Sequence, residues 1–488
     1  MTCNGDSSPV QLCSLDALRR VLADLKGRRV TLMGLGVFGG GEGAARFLLD
    51  RGAELTVTDL RTAEKLRSPL ERLAGPFVRL RLGEHVEEDF VQADLLVASP
   101  AVPRTSPFLR AAGERGVLIT SPMNMFLALC PAPVCAVTGS NGKSTTASLI
   151  AAILGCADRK VWLGGNIGKS LLPAVSMVAP GHLVVLELSS FQLQDAAALR
   201  RSPHLAVVTN ITPDHLDRHG GLEEYAEAKR TIVRFQGPSD FAVLNARDPV
   251  QMCWVSDGLP AQVIFFDAEA EAGKLRHGVN LLGDRFIWHN SRLSEFICMR
   301  EEVPLLGLHN TKNVMAAAAA ARCLGALSSH VRGALRSFVG LEHRLELVGQ
   351  FNGVRVYNDS YSTTPEAGVA AVDSFPGAVT LIAGGYDKKL DLHSLARAAA
   401  RSVEVLITLG QTGPALAQKV RQESLHVGRP LLIREASSLE EAVRLANSLS
   451  MPGSAVVFSP ACASYDMFDN YEHRGRVFKD LVRATFRA

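Results

Sequence analysis

No stretch of this chain reaches the ~20 uncharged, apolar residues that a membrane-spanning helix requires. No excess of either charge is present: 52 Lys and Arg, mixed along the chain with 49 Asp and Glu, leave a net charge of +3. That balance gives no electrostatic reason to expect nucleic acid or an anionic membrane as partner. Cys-x-x-Cys is absent. The nine cysteines are odd in number and scattered from Cys3 to Cys462, without zinc-type spacing to histidine. Reduced thiols in a cytoplasmic protein are the expectation. The N-terminus lacks a basic start followed by an apolar run, which argues against a signal peptide. Short-period repeats and low-complexity tracts are also missing.

What remains is ordinary for a globular protein, with 47% hydrophobic and 21% charged residues. The 488 residues are too many for one core, and a length prior suggests about three domains. Short apolar runs alternate with helix-like stretches in three successive series, the pattern of parallel sheets with helical crossovers. The first series holds "RRVTLMGLG" and "AELTVTDLR", the second "APVCAVTGSNGKSTT", "HLVVLELSS" and "HLAVVTNIT". The third holds "VRVYNDSYSTTPEA", "AVTLIAGGYDKK" and "SAVVFSPACASYD". The expected fold class is α/β, with three domains at residues 1–121, 122–340 and 341–488. The first is Rossmann-like, the second a P-loop ATPase-like parallel sheet, and the third Rossmann-like again. Residues 1–25 form an extension of unassigned role, disordered or a short helix. A small antiparallel insert is expected around 273–300, and an Asn-capped, alanine-rich helix in "HNTKNVMAAAAAARC".

Two glycine turns carry the chemistry. "GLGVFG" sets Gly34, Gly36 and Gly39 in G-x-G-x-x-G after a strand, with Asp59 at the distance of a ribose-binding acid. Alone it leaves open an NAD-dependent oxidoreductase, a different nucleotide, or glycines present only for close packing. The second turn, Gly139-Ser140-Asn141-Gly142-Lys143-Ser144-Thr145, is more specific. Its amides can wrap phosphates, Lys143 can reach the β/γ oxygens, and Ser144 or Thr145 can hold Mg²⁺. Val137 departs from the usual spacing, which wants a glycine there. Glu187, ending an apolar strand, is costly unless paired or metal-bound. Asp214, His215, Asp217 and His219 cluster after a further strand, and two Mg²⁺ ions are a standard device in phosphoryl transfer. A nucleotide-driven switch or motor would leave "NDS" and "SPACAS" without a task.

In order along the chain, "TGSNGKSTT", "GGNIG", "ELSSFQL", "TNITPDHLDRH", "HN" (His309-Asn310), "EHR" (Glu342–Arg344), "NDS" (Asn358–Ser360) and "SPACASYD" resemble the Mur ligases of peptidoglycan synthesis. The resemblance runs from about Lys26 to the C-terminus and implies an ATP-dependent amide ligase acting through an acyl phosphate. Its first domain and "SPACAS" point to the member that adds D-glutamate to UDP-N-acetylmuramoyl-L-alanine. The member that adds L-alanine to UDP-N-acetylmuramate is the alternative.

The resemblance also implies roles. Lys143, His215 and Lys229 would be catalytic. Gly139 through Thr145 with Asn310, Asn313, Arg344 and Asp359 would hold ATP. Ser144, Glu187, His215 and a carbamylated Lys229 would ligate two Mg²⁺ ions. Gly36, Val37, Phe38, Asp59, Leu60, Arg61 and Asn166 would bind the UDP substrate, and Lys388, Ser464 and Tyr471 the amino acid. Partners would be small molecules, with no nucleic acid or membrane, and the protein a cytoplasmic monomer. One departure stands out: many relatives read Asn-Asp-Ser-Lys where this chain has Tyr361.

Overall fold

Runs such as "VCAVT" and "LVVLE" are apolar at nearly every position, as strands covered on both faces must be. In the computed structural model they form three separate sheets. The structure describes residues 9–37, 39–73, 78–167, 170–214, 216–267, 277–290 and 292–486.

The first sheet is parallel throughout, in the order β3-β2-β1-β4-β5. Its strands are β1 (Arg29–Met33), β2 (Glu54–Asp59), β3 (Val78–Leu82), β4 (Leu95–Ala98) and β5 (Leu118–Thr120). The second has nine strands in the order β14-β13-β12-β11-β10-β9-β6-β8-β7. They are β6 (Val134–Thr138), β7 (Val161–Gly165), β8 (Leu183–Glu187), β9 (Leu205–Val208), β10 (Phe241–Asn245), β11 (Gln262–Asp267), β12 (Gly278–Leu282), β13 (Arg285–His289) and β14 (Ser294–Met299). The expected antiparallel insert is β12–β14, joined to the sheet through a parallel β11–β12 pair. The third sheet runs β15-β16-β20-β17-β18-β19. It comprises β15 (Glu346–Phe351), β16 (Val354–Asn358), β17 (Val379–Ala383), β18 (Val405–Thr408), β19 (Leu432–Glu435) and β20 (Ala455–Phe458), and only β15 is antiparallel.

The chain divides into two compact units, Met1–Glu302 with Lys312–Leu335, and Val303–Thr311 with Arg336–Ala488. Within the first, two sheets share one core. Met125 and Phe126 belong to the same buried cluster as Leu32 and Val57 of the first sheet and Val184 and Leu186 of the second. The pair Arg104–Asp195 bridges the same two halves, with Arg104 Nε donating to Asp195 Oδ1 at 2.7 Å and both side chains largely buried.

Residues 9–25, the described part of the N-terminal extension, form a strap. Ser14 caps helix α1 (Leu15–Ala23), whose Leu18, Val21 and Leu22 recur at helical spacing and are buried. Val10 N–H donates to Arg104 O at 2.9 Å and Cys13 N–H to Ile119 O at 2.8 Å. Arg19 Nε donates to Ala128 O at 3.0 Å. The alanine-rich helix spans Leu308–Cys323 and begins before Asn310, so the asparagine lies in the first turn and is not the cap. Asn310 Nδ2 donates back to Leu306 O at 2.7 Å. From Val314 to Ala321 this helix is buried all round, which small side chains permit. Among the described residues no helix is long and apolar enough to cross a membrane.

Candidate active site

Strand β6 lies between β8 and β9, and its C-terminal end is where an open α/β sheet presents a ligand crevice. The strand feeds Gly139 (φ 146°) and Gly142 (φ 83°), and helix α2 (Lys143–Gly155) starts directly after them. A Cβ on Gly139 would stand 1.9 Å from Thr209 Oγ1, and one on Gly142 2.1 Å from Asn313 Oδ1. Both positions are therefore restricted to glycine by space as well as by φ. Asn141 is pinned from the neighbouring strand end: Thr209 Oγ1 donates to its carbonyl at 2.6 Å, and its N–H donates to Asn210 Oδ1 at 3.0 Å. Ser140 Oγ donates to Thr212 O at 2.8 Å and lies 3.1 Å from Tyr225 Oη. Lys143 Nζ curls back on the loop, donating to Ser140 O at 2.7 Å and Gly139 O at 3.0 Å. The result is a preformed cradle of backbone amides with a cation inside, suited to phosphate.

Lys229 converges on the same loop from helix α3 (Leu222–Arg234). It is 1% exposed, and its Nζ donates to Gly139 O at 2.8 Å. Burial above all, then the nearby Lys143 charge, lowers its pKa to about 7, with Asp214 and Glu187 pulling the other way. Sequence alone reads Lys229 as an ordinary surface lysine; its burial comes from tertiary packing. Glu187 ends β8 at 2% exposure. Asn166 Nδ2 donates to its Oε1 at 3.0 Å, while its Oε2 is buried with no hydrogen-bond partner among the described residues. An unsatisfied buried carboxylate oxygen beside a phosphate cradle has the chemistry of a Mg²⁺ ligand. Ser144 is half-buried whereas Thr145 is buried, which leaves Ser144 the more accessible hydroxyl. Of the downstream cluster, Asp214 is exposed, and His219 is packed inside. His219 stacks on Phe191 at 4.9 Å and its Nε2 contacts Ser190 Oγ at 2.9 Å, so it is neither solvated nor on a loop surface. His215 and the side chain of Asp217 lie outside the described residues, as does Phe38.

The first glycine turn shares the left-handed glycines but is roomier, since a Cβ on Gly36 or Gly39 would meet nothing within 4 Å. Gly34, Gly36 and Gly39 all have positive φ. Asp59 is nearly buried, and its two oxygens accept the N–H groups of Gly36 at 3.1 Å and Arg61 at 2.9 Å. It holds the turn rather than reaching outward. Val37 and Leu60 stand on the rim, 42% and 66% exposed, with Arg61 also exposed, an apolar and cationic margin suited to a base and a diphosphate.

The second unit gathers the "EHR", "NDS" and "SPACAS" segments. Asp359 accepts from Ser459 Oγ at 2.7 Å and Leu345 N–H at 3.1 Å, and burial pushes its pKa up to about 7. Lys388 is exposed beside a small cleft lined also by Tyr386, Thr412, Cys462 and Ala463. Ser464 follows Ala463 and is buried. Tyr471 opens helix α4 (Tyr471–Thr485), and burial leads the causes that raise its phenol to about 12.

The residue missed by sequence is Arg474. It is 2% exposed, with its pKa lowered to about 10 chiefly by burial. It donates to Ser360 Oγ at 3.0 Å, Ser360 O at 2.8 Å, Cys462 O at 3.0 Å and Ala463 O at 3.1 Å, tying the two motif loops together. A signal was available: Arg474 lies four residues before Phe478 and eight before Val482, on the apolar face of α4. Among the described residues one trio of possible metal ligands exists here, Glu342, His343 and Glu346. Lys479 Nζ already bonds both glutamates, at 2.5 and 2.9 Å, so the cation in that cluster is the lysine.

Three family profiles tile the chain: "Mur ligase MurD-like, N-terminal domain" over residues 28–121, "Mur ligase middle domain" over 137–321 and "Mur ligase, glutamate ligase domain" over 343–462. The UDP-N-acetylmuramoylalanine--D-glutamate ligase of Symbiobacterium thermophilum is 42% identical over 456 residues, 93% of this chain and 98% of the relative. The chain belongs to the Mur ligase family. The like-named enzyme of Roseiflexus sp. is 41% identical over 467 residues, 94% of this Mur ligase and 99% of the relative. Among solved structures, UDP-N-acetylmuramate-alanine ligase MurC of Thermotoga maritima aligns at a TM-score of 0.59 and 17% identity, over 94% of this chain and 99% of that one. That likeness shows the three-domain α/β fold common to the family.

Proposed function

We infer that this Mur ligase joins D-glutamate to UDP-N-acetylmuramoyl-L-alanine with cleavage of ATP to ADP and phosphate, in peptidoglycan precursor synthesis. The observation that carries the reading is the near full-length likeness to two UDP-N-acetylmuramoylalanine--D-glutamate ligases, 42% and 41% identical. The cradle at Gly139–Thr145 agrees with it. The alanyl carboxylate attacks the γ-phosphorus and ADP leaves. The D-glutamate amine then attacks the acyl phosphate, and inorganic phosphate departs from the tetrahedral adduct, leaving an amide.

The chain's residues divide this work. Amides of the cradle and Lys143 bind the triphosphate, and Lys143 offsets the repulsion between phosphate and incoming carboxylate. Asn310 and Asn313 serve the adenine end, Arg344 and Asp359 the phosphates and ribose. Gly36, Val37, Phe38, Leu60 and Arg61 take the uridine diphosphate, with Asp59 fixing their turn, and Asn166 takes the muramoyl part while orienting Glu187. Lys388, Ser464 and Tyr471 hold D-glutamate, an ammonium and hydroxyls being apt for its carboxylates.

Ser144, Glu187, His215 and a carbamylated Lys229 would hold two Mg²⁺ ions, whose charge would neutralise the meeting anions. The orphaned Glu187 oxygen fits a metal. The near-neutral Lys229 amine suits reaction with CO₂, but its hydrogen bond to Gly139 O suits a donor. A carbamate would therefore have to turn away from that carbonyl. We place the enzyme in the cytoplasm as a monomer acting on small molecules. The test is phosphate release from MgATP with UDP-N-acetylmuramoyl-L-alanine as amino acids are added singly. Release requiring both the UDP substrate and D-glutamate is expected. Release only with UDP-N-acetylmuramate and L-alanine would overturn the substrate assignment.

A further inference from the structure

Arg344 sits on an unusual piece of backbone. Its neighbours His343 (φ 64°) and Leu345 (φ 43°) are both left-handed, although neither is glycine. Such conformations persist only where the surroundings over-determine them, and they cluster at functional sites. His343 is 3% exposed, accepts from Asn358 Nδ2 at 2.9 Å, and packs on Gly475, where a Cβ would come within 2.2 Å of its Nδ1. Its N–H donates to Glu346 Oε2 at 2.9 Å, and Leu345 N–H donates to Asp359 Oδ1 at 3.1 Å. Between this pinned pair, the Arg344 side chain lies across Tyr361.

The Arg344 guanidinium carbon lies 4.1 Å from the Tyr361 ring centroid. Tyr361 is itself fixed: its N–H donates to His343 O at 3.0 Å, and its ring meets Tyr471 edge-on at 5.1 Å. No carboxylate among the described residues forms an ion pair with Arg344. The guanidinium therefore sits over an aromatic ring, a cation–π contact that uses none of its N–H groups as donors to a protein oxygen and leaves them for anionic oxygens. A lysine at 361, which the family resemblance leads one to expect, would instead set a second cation against Arg344.

We propose that Tyr361 is a positioning residue whose ring fixes the Arg344 guanidinium for a phosphate oxygen of the nucleotide. This deepens the ligase reading above and rests on it. Tyr361 acts through its face, and the hydroxyl has no part. With an exposure of 44%, the side chain can be truncated without opening the core.

The experiment is steady-state kinetics of wild type, Tyr361→Phe, Tyr361→Ala, Tyr361→Lys, Arg344→Ala and the Arg344→Ala/Tyr361→Ala double variant, with direct titration of MgATP. Tyr361→Phe should stay within about twofold of wild type, while the Ala and Lys variants should raise the KM and Kd for MgATP about tenfold, the scale of a partly desolvated cation–π contact. The KM for the UDP substrate should not move, and that for D-glutamate, whose binding residue Tyr471 touches the Tyr361 ring, should move less than that for MgATP. Tyr361→Ala should add little to Arg344→Ala, because both remove one interaction. Unchanged nucleotide binding in Tyr361→Ala, a Phe variant as impaired as Ala, a shift confined to D-glutamate, or full additivity with Arg344→Ala would each overturn the proposal. A wild type without ligase activity would instead refute the ligase reading, and the MgATP titration would still decide the role of Tyr361.

Discussion

Gly139→Ala tests the phosphate cradle at its tightest point. At φ 146° the residue occupies a region that L side chains rarely adopt, a cost of about 1–3 kcal/mol. The new methyl would stand 1.9 Å from Thr209 Oγ1 and 3.1 Å from both Asn210 N and Asn210 O. Thr209 must then turn, losing its 2.6 Å hydrogen bond to Asn141 O, worth about 1 kcal/mol. The distortion totals about 2–4 kcal/mol and falls on the loop that meets the nucleotide. If it is relieved by moving that loop, MgATP affinity drops by about 30- to 1,000-fold while the UDP substrate binds as before. Calorimetric titration of both ligands measures this, with thermal unfolding as control. Thr209→Ala removes the blocking hydroxyl, so the double variant should lose less than the two single losses summed. A Gly139→Ala protein that binds MgATP within twofold of wild type would refute the reasoning.

Lys143→Ala should abolish turnover yet leave UDP-substrate binding intact, and a titration in which both are lost would count against separate sites. Arg104→Ala strands the buried Asp195 carboxylate, whose pKa burial already raises. It should cost about 3 kcal/mol of stability, visible as a lowered Tm, with room-temperature activity retained. Asp359 has a folded pKa of about 7, raised by burial above its unfolded value. Its neutral form favours the fold, so this contribution is full below about pH 4 and is lost as pH rises through about 7, on the order of 2–4 kcal/mol. Asp359→Asn should flatten the stability profile in that window, as denaturant titrations across pH would reveal; an unchanged slope would rule the residue out as its source.

How far the sequence foretold this depends on whether a signal is local. The Gly139–Thr145 turn, Glu187 at a strand end and the β/α alternation are written in short segments, because strand, turn and helix start are set by neighbouring residues. The α1 strap was half legible: Ser14 and the spacing of Leu18, Val21 and Leu22 specify a helix, but nothing in them says what it ties together. Burial of Lys229 and His219 arises from elements distant in sequence, and no local pattern records it. Asn310 misled as a cap because the preceding Leu308 and His309 already turn helically. Arg474 was hidden by its charge: an arginine in "YEHRGRVF" reads as solvated, although its spacing to Phe478 and Val482 puts it on the buried face.

The central claim is that ATP activates the alanyl carboxylate for attack by D-glutamate. Labelling both oxygens of that carboxylate with ¹⁸O, running the reaction with MgATP and D-glutamate, and weighing the products by mass spectrometry tests it most directly. One ¹⁸O in each phosphate released, matched by one amide carrying the other, is the predicted result. Phosphate free of label, or labelled phosphate that forms with L-alanine and not with D-glutamate, would contradict the account.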